Sequence, residues 1–228
     1  MRKNIFVITV LLLFCGCLCG QYKSITIPAG TRIIDNFPPS VRYLYPQFVQ
    51  GEIVMKNGIY TAGMINYNML HDEIDLLHNN DTVTLIKKQE LRYVIADSDT
   101  FIYMPGYAKL IYGQQLKIYC RDRFFLKDIL EKGAFGVPNR TAAIGQYSDT
   151  AERGIPYDLV LNEDMVFKRE VAYYIATSSG IYRPFKKKNI LSLFSHNKAD
   201  VKKYIKTYNI NLEKQEDIIK LAEFLSKL

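Results

Sequence analysis

The sequence predicts an α+β protein that is mainly β, with an antiparallel meandering sheet, folded as a sandwich or partial barrel, followed by a C-terminal helical pair. Three observations predict it. Residues 21–185 contain short runs of Val, Ile, Thr, Tyr and Phe separated by turn-forming residues. After Phe185 the apolar residues recur with a helical period. The charge divides at the same boundary: residues 21–185 hold 18 basic and 18 acidic residues, whereas residues 186–228 hold 10 and 5.

The clearest strand signal is a hairpin around Asn57-Gly58. Residues 52–56 and 59–65 flank this dipeptide, which favours the positive φ angles of a type I′ turn. Turn-forming residues delimit the other predicted strands. These strands cover 73–77, 82–86, 91–95, 100–103, 108–112, 115–121, 158–161, 165–168, 171–176 and 180–185.

Two segments interrupt this pattern. Residues 21–46 contain Ile25-Thr26-Ile27 followed by several prolines, which predicts an edge strand and then irregular chain. Residues 133–156 are rich in Gly, Pro and small polar residues and show no periodicity. A connection of that length is either a binding loop or a mobile insertion, and the sequence leaves its role open.

The basic C-terminal segment, 186–228, is predicted to be helical. Val201, Tyr204, Ile205 and Tyr208 form one apolar stripe, and Asn197 is a suitable N-cap for that helix. Asn211 is predicted to cap a second helix. A shorter helical piece is expected over 189–194. The buried face of the second helix is predicted to comprise Ile218, Leu221, Ala222, Leu225 and Leu228.

Lysines dominate the charge of this segment, which suggests contact with an anionic partner. Lysine is a poor reader of base edges compared with arginine, so nucleic acid is not expected as a partner. A lipid surface, an acidic glycan or an acidic protein of the envelope suits such a region better. The lysines predicted to make this contact are Lys186, Lys187, Lys188, Lys202, Lys203 and Lys206.

The first twenty residues are typical of an export signal. Arg2 and Lys3 precede an apolar run over 5–14, which is followed by small residues up to position 20. Two processing routes are open. Cleavage near Gly20 would release the chain, whereas Phe14-Cys15-Gly16-Cys17 resembles a lipobox in which Cys17 would be lipidated. The expected location is the periplasm or the outer-membrane surface. No transmembrane span is predicted in the mature chain.

A block that begins at Arg42 carries one resemblance. Residues 42–48 (Arg-Tyr-Leu-Tyr-Pro-Gln-Phe), followed by Gly-Glu-Ile-Val at 51–54 and Lys-Asn-Gly at 56–58, resemble uncharacterised exported β-rich proteins of Gram-negative envelopes. The lysine-rich helical tail is similar to the ends of some of them. The resemblance implies an envelope location and transfers no activity or site.

Several residues could in principle carry chemistry. His71, Glu73 and Asp75 alternate in the pattern of one strand face, with His78 beyond them, but the chain lacks an HExxH motif. Ser195 and Lys198 match a bare SxxK pattern without its companion motifs.

Glycan hydrolysis would need paired carboxylates, for which the available residues are Asp72, Glu73, Asp75, Glu163 and Asp164. Cys120 is predicted to be a buried structural thiol because no histidine lies near it in sequence.

These patterns predict a non-catalytic binding or accessory module of the bacterial cell envelope, with no metal or cofactor. The alternative is a small envelope hydrolase acting on glycan or peptide. Tyrosine offers a large contact area with one polar tip, so tyrosines of the β domain are candidates for a recognition surface, although most are expected to fill the core. The candidates are Tyr43, Tyr45, Tyr60, Tyr67 and Tyr107.

Overall fold

The computed structural model describes residues 23–79, 81–85, 87–104, 106–132, 138–139, 160–176 and 180–228. The strands are β1 Ser24–Ile27, β2 Val49–Met55, β3 Tyr60–Asn68, β4 Glu73–His78, β5 Asp81–Thr84, β6 Leu91–Ala96, β7 Asp99–Met104, β8 Gly106–Gly113, β9 Lys117–Lys132, β10 Pro138–Asn139, β11 Asp164–Ala176 and β12 Tyr182–Pro184. The helices are α1 Ile33–Asn36, α2 Pro39–Arg42, α3 Lys187–Leu193, α4 Lys198–Thr207 and α5 Gln215–Leu225, with a 3₁₀ turn at Lys88–Glu90.

The predicted fold class is confirmed: a mainly antiparallel sheet precedes a C-terminal helix pair. The sheet contains two meanders, β2 to β5 and β6 to β9, which are joined edge to edge by the pairing of β2 with β6. Strand β11 adds to β9, and β1 adds to β11. The path therefore runs β1-β11-β9-β8-β7-β6-β2-β3-β4-β5, and the sheet is not closed.

The longest strands differ most from the prediction. Strand β9 extends to Lys132, although a break after Arg121 was expected, and β11 joins the predicted strands 165–168 and 171–176. The charged residues in these stretches suggest turns, but they form cross-strand ion pairs instead, Asp122 with Arg169 and Arg123 with Glu170. The predicted strand 158–161 is wrong in its described part, where Val160 makes only an isolated bridge to Arg32.

The hairpin of β2 and β3 is confirmed, but its turn is not type I′. Gly58 has φ of 87°, whereas Asn57 does not have a positive φ. The amide of Gly58 donates to the carbonyl of Met55 (3.0 Å), and the amide of Met55 donates to the carbonyl of Ile59 (2.9 Å). This pattern is a type I turn followed by a left-handed glycine, which is the usual form of a three-residue hairpin loop.

The segment before β2 contributes to the core rather than running as irregular chain. The edge strand is confirmed as β1, but α1 and α2 were not predicted. Pro39 occupies the first position of α2, where its missing amide proton costs no hydrogen bond. Between the helices, Phe37 is fully buried and packs edge-to-face on Phe124 of β9 and Phe167 of β11.

Two large hydrophobic clusters flank the middle of the long strands. The main core contains residues of β1 to β4, β6, β7 and the two short helices. The C-terminal half of β9 and the N-terminal half of β11 add to it, with Phe124 and Phe167. The second core lies under the C-terminal helices. There Ile118 of β9 and Ile175 of β11 pack with α3, α4 and α5. The apolar faces of the helices therefore pack on one another and on the sheet.

The helical segment follows the prediction except at its boundaries. Asn197 immediately precedes α4, as expected, but its side chain makes no capping hydrogen bond. The last helix begins at Gln215, later than expected, because the Asn211 side chain accepts from the Glu213 amide and forms a local turn. Tyr208 and Leu228 are exposed, so their predicted burial is wrong, whereas the predicted face from Ile218 to Leu225 is buried.

Some predictions lie outside the described residues. These are the export signal with Cys17, and the loop 133–156 apart from Pro138–Asn139. Within the described ranges, no helix combines the length and the apolarity that a membrane crossing requires.

Candidate binding cleft

A cleft of about 530 Å³ lies between the two hydrophobic cores. Its floor is one face of three neighbouring strands, since alternate residues of a strand project to the same side. On β9, Ile118 belongs to the second core and Phe124 to the main core, and Cys120 and Asp122 lie between them on that face. The other floor residues are Lys109 of β8 and Val171 and Tyr173 of β11.

The thiol of Cys120, on the floor of the cleft, is buried and protonated. Cys120 is buried, and burial together with the charge of Asp122 raises the pKa of its thiol to about 12. Burial and the neighbouring Cys120 also raise the pKa of the Tyr173 hydroxyl to about 12. Both groups are therefore protonated near neutral pH. Because the thiolate is the reactive form of cysteine, Cys120 does not meet the requirement for a nucleophile, and the predicted buried thiol is confirmed.

The charged floor residues are held in place by ion pairs. Arg169 donates two hydrogen bonds to the Asp122 carboxylate, at 2.7 and 2.6 Å. The ammonium of Lys109 lies 3.3 Å from Asp99, which also accepts from the Tyr45 hydroxyl at 2.7 Å. These contacts hold the charged side chains of the floor against neighbouring strands.

The two rims of the cleft differ in chemistry. One rim is apolar and aromatic, with Leu44, Tyr67 and Phe101 from the edge of the main core. The other is polar and exposed, and it consists of the last two residues before α5 and the first two residues of that helix: Glu213, Lys214, Gln215 and Glu216. Tyr67 and Phe101 are almost fully buried, so the apolar rim offers a ligand only their edges together with Leu44.

The acidic residues predicted as possible catalytic or metal-binding groups are engaged in structural contacts. Asp72 forms an ion pair with Arg121 and accepts from the Tyr67 hydroxyl at 2.8 Å. Asp75 accepts from the hydroxyl of Tyr43 and the amide of Asn68, both at 2.8 Å. These hydrogen bonds occupy the carboxylates and hold the turn between β3 and β4.

Two of the remaining predicted acids, Glu73 and Asp164, also make structural contacts, although the buried Oε2 of Glu73 has no hydrogen-bond partner among the described residues. Glu73 pairs with Lys88, and burial raises the pKa of this carboxyl despite that ion pair. Asp164 accepts from the amide of Ala29 at 2.7 Å and thereby ties β11 to the segment after β1. Glu163 lies beside it in sequence but lines no part of the cleft.

The predicted metal-binding pattern does not form a common strand face. His71 lies in the turn before β4, where Asp72 has φ of 55°, whereas Glu73 and Asp75 lie within the strand. The ring of His78 contacts Asn79 instead. In the parts of the chain that the structure describes, no group of three His, Cys, Asp or Glu residues is arranged to hold a metal.

Most of the predicted tyrosines do not form a recognition surface. Tyr43, Tyr67 and Tyr107 are buried, as expected for residues that fill the core, and only the edge of Tyr67 reaches the cleft. Tyr45 is half-buried with its hydroxyl on Asp99. Tyr60 alone is 56% exposed, near the tip of the β2–β3 hairpin. The aromatic residues that line the cleft floor and rim, Phe101 and Tyr173, were not predicted to do so.

The predicted anionic-partner lysines are all exposed, three before and within the start of α3 and three on α4. Ser195, His196 and Lys198 are also exposed, beside the start of α4. None of these residues lines the cleft.

Comparisons of the chain with protein-family models, with curated proteins and with solved structures found no match. The functional interpretation therefore rests on the sequence and on the geometry of the cleft.

Proposed function

We propose that this protein is a non-catalytic binding module of the bacterial cell envelope, and that it holds its ligand in the cleft between the two cores. The export pattern over 1–20 and the resemblance around Arg42 support the envelope location. The observation that carries the binding role is the cleft itself, a space of about 530 Å³ with one apolar rim and one rim of exposed polar residues.

The chemistry of the cleft favours binding over turnover. A hydrolytic site needs an activated nucleophile or a carboxylate free to exchange protons. In the cleft, the raised pKa keeps the Cys120 thiol protonated, and the only floor carboxylate, Asp122, is neutralised by Arg169. Among the carboxylates predicted for a hydrolase, Asp72, Asp75 and Asp164 hold turns and strand contacts outside the cleft. Glu73 pairs with Lys88, also away from the cleft.

Soluble peptidoglycan fragments are suitable probes because they contain both glycan and peptide. Calorimetric titration should show binding to the full chain, and Val171→Trp should abolish it. Val171 is 47% exposed at the cleft, so the larger side chain should block the site without disturbing the core. Val83→Trp is the matched control, since Val83 is 44% exposed on β5, away from the cleft.

Three results would count against the proposal. Binding that survives Val171→Trp would place the ligand elsewhere. Loss of binding in Val83→Trp as well would indicate general damage rather than cleft blockage. Release of cleaved fragments by the unaltered chain, absent in Val171→Trp, would mean that the cleft catalyses hydrolysis.

The envelope location has a separate test. Fractionation of the native cells should place the protein with the envelope, and mass spectrometry of its N-terminus should show cleavage near Gly20 or an acylated Cys17. A cytosolic protein with Met1 attached would contradict the proposed location and leave the cleft measurement unaffected.

A further inference from the structure

Helix α4 carries four lysines on one side, and we name Lys198, Lys202, Lys203 and Lys206 the basic face. Successive helical residues are rotated by about 100°, so these four positions share an arc of about 140°, in which Lys203 and Lys206 lie farthest from Val201. Val201 is fully buried in the second core, and all four lysines are exposed. The packing of α4 on the core therefore directs the basic face into solvent.

The basic face has little local compensation. Asp200 is the only acidic residue of α4. It lies away from Lys198 and Lys202 and three residues before Lys203, with which it makes no ion pair in the described structure. Within the described ranges, none of the four lysines makes an ion pair with another described residue. In the β domain, several charged residues instead pair across strands, as Arg169 does with Asp122.

We propose that the basic face docks the protein onto the surface of a bilayer containing anionic phospholipid. The four ammonium groups extend about 12 Å along the helix, which suits a laterally continuous negative surface. Lysine binds as a flexible point charge without the bidentate geometry that arginine uses for carboxylates, so it fits a fluid layer of phosphates better than a fixed acidic protein site. The exposed Lys186, Lys187 and Lys188 before and in α3 add charge to the same segment.

The expected strength follows from the charge count. Each lysine near an anionic surface raises partitioning about fivefold, so neutralising three should lower it on the order of 100-fold. Raising the ionic strength from about 0.1 M to about 1 M shortens the screening length from about 10 Å to about 3 Å and should have a comparable effect. This docking does not depend on the cleft or on its ligand.

The test is cosedimentation of the full chain with vesicles of phosphatidylglycerol and phosphatidylcholine in equal amounts. A Cys17→Ser background removes any acyl group, and pure phosphatidylcholine vesicles measure binding by the N-terminal segment. The test variant is Lys202→Gln/Lys203→Gln/Lys206→Gln. The matched control, Lys117→Gln/Lys127→Gln/Lys168→Gln, removes the same net charge from exposed lysines on the strands.

The proposal predicts salt-sensitive binding to the anionic vesicles that the α4 variant loses and the strand variant retains. Equal loss in both variants would show that net charge, rather than the basic face, drives the association. Unchanged binding of the α4 variant would also overturn the proposal. Absent vesicle binding, with a salt-sensitive complex to an acidic envelope protein instead, would assign the basic face to a protein partner.

Discussion

Removal of the Asp72 carboxylate is expected to destabilise the fold strongly, because this group holds three parts of the sheet together. Its Oδ2 receives hydrogen bonds from Arg121 of β9, one of them from Nε at 2.9 Å. Its Oδ1 accepts from the Tyr67 hydroxyl at 2.8 Å and from the Tyr107 amide at 3.0 Å. The ion pair is well shielded, with 12% of the Asp72 side chain and 14% of the Arg121 side chain exposed.

The expected loss can be divided between the two oxygens. Asp72→Asn keeps an acceptor for Tyr67 and Tyr107 and tolerates the φ of 55°, so it removes mainly the charge pair. Stranding a shielded guanidinium costs about 3 kcal/mol. Asp72→Ala also removes two hydrogen bonds of about 1 kcal/mol each and adds backbone strain of about 1 kcal/mol at the positive φ, so its total is about 6 kcal/mol.

Urea unfolding followed by circular dichroism and tyrosine fluorescence measures these losses in the free energy of unfolding, since the chain has no tryptophan and 17 tyrosines. The double variant Asp72→Asn/Arg121→Met is the decisive control. Removing both charges should be less destabilising than Asp72→Asn alone, because no guanidinium is left without its carboxylate. A loss below about 1 kcal/mol for Asp72→Asn would mean that the pair behaves like a surface ion pair. A double variant less stable than Asp72→Asn would also refute the reasoning.

Two further predictions concern the same strands. Gly106→Ala should reduce the free energy of unfolding by at least about 2 kcal/mol, because Gly106 has φ of 101° and a Cβ there would strike the guanidinium of Arg121. Gly30→Ala, with φ of 81° and open space around its Cβ, should lose less in the same urea titration, and an equal loss would mean that the collision is unimportant. Cys120 should resist alkylation by iodoacetamide at pH 8 and react on unfolding, because its raised pKa and burial keep the thiol protonated and covered. Rapid alkylation of the folded chain, followed by mass spectrometry, would contradict the description of the cleft floor.

Sequence patterns correctly predicted those elements that residues close together in the sequence stabilise. The Asn57-Gly58 dipeptide located the hairpin of β2 and β3, and the apolar spacing in α5 located its buried face. The predicted strand boundaries were wrong where contacts with residues distant in the sequence determine the length of a strand. Arg121, Asp122 and Arg123 suggest the end of a strand when taken alone, but partners on other strands and in the β3–β4 turn neutralise them and extend β9.

The cleft was beyond prediction for the same reason. Its lining comes from β3, β7, β8, β9, β11, the segment before β2 and the start of α5, so no short motif contains it. The one available signal was the alternation of Cys120 and Asp122 with larger residues on β9, which indicates a floor that is only partly filled. The basic face of α4, in contrast, was visible as a helical lysine pattern, because the residues of one helix determine it.

The central claim is that the cleft holds an envelope ligand without altering it. Hydrogen–deuterium exchange of the full chain with and without soluble peptidoglycan fragments tests this claim most directly, with the mass of the fragments recorded in the same samples. Exchange should slow in peptides that cover the floor of β9 and β11 and the rim at 213–216, and the fragments should keep their mass. Slower exchange confined to the turn around Asp72, or shortened fragments, would contradict it.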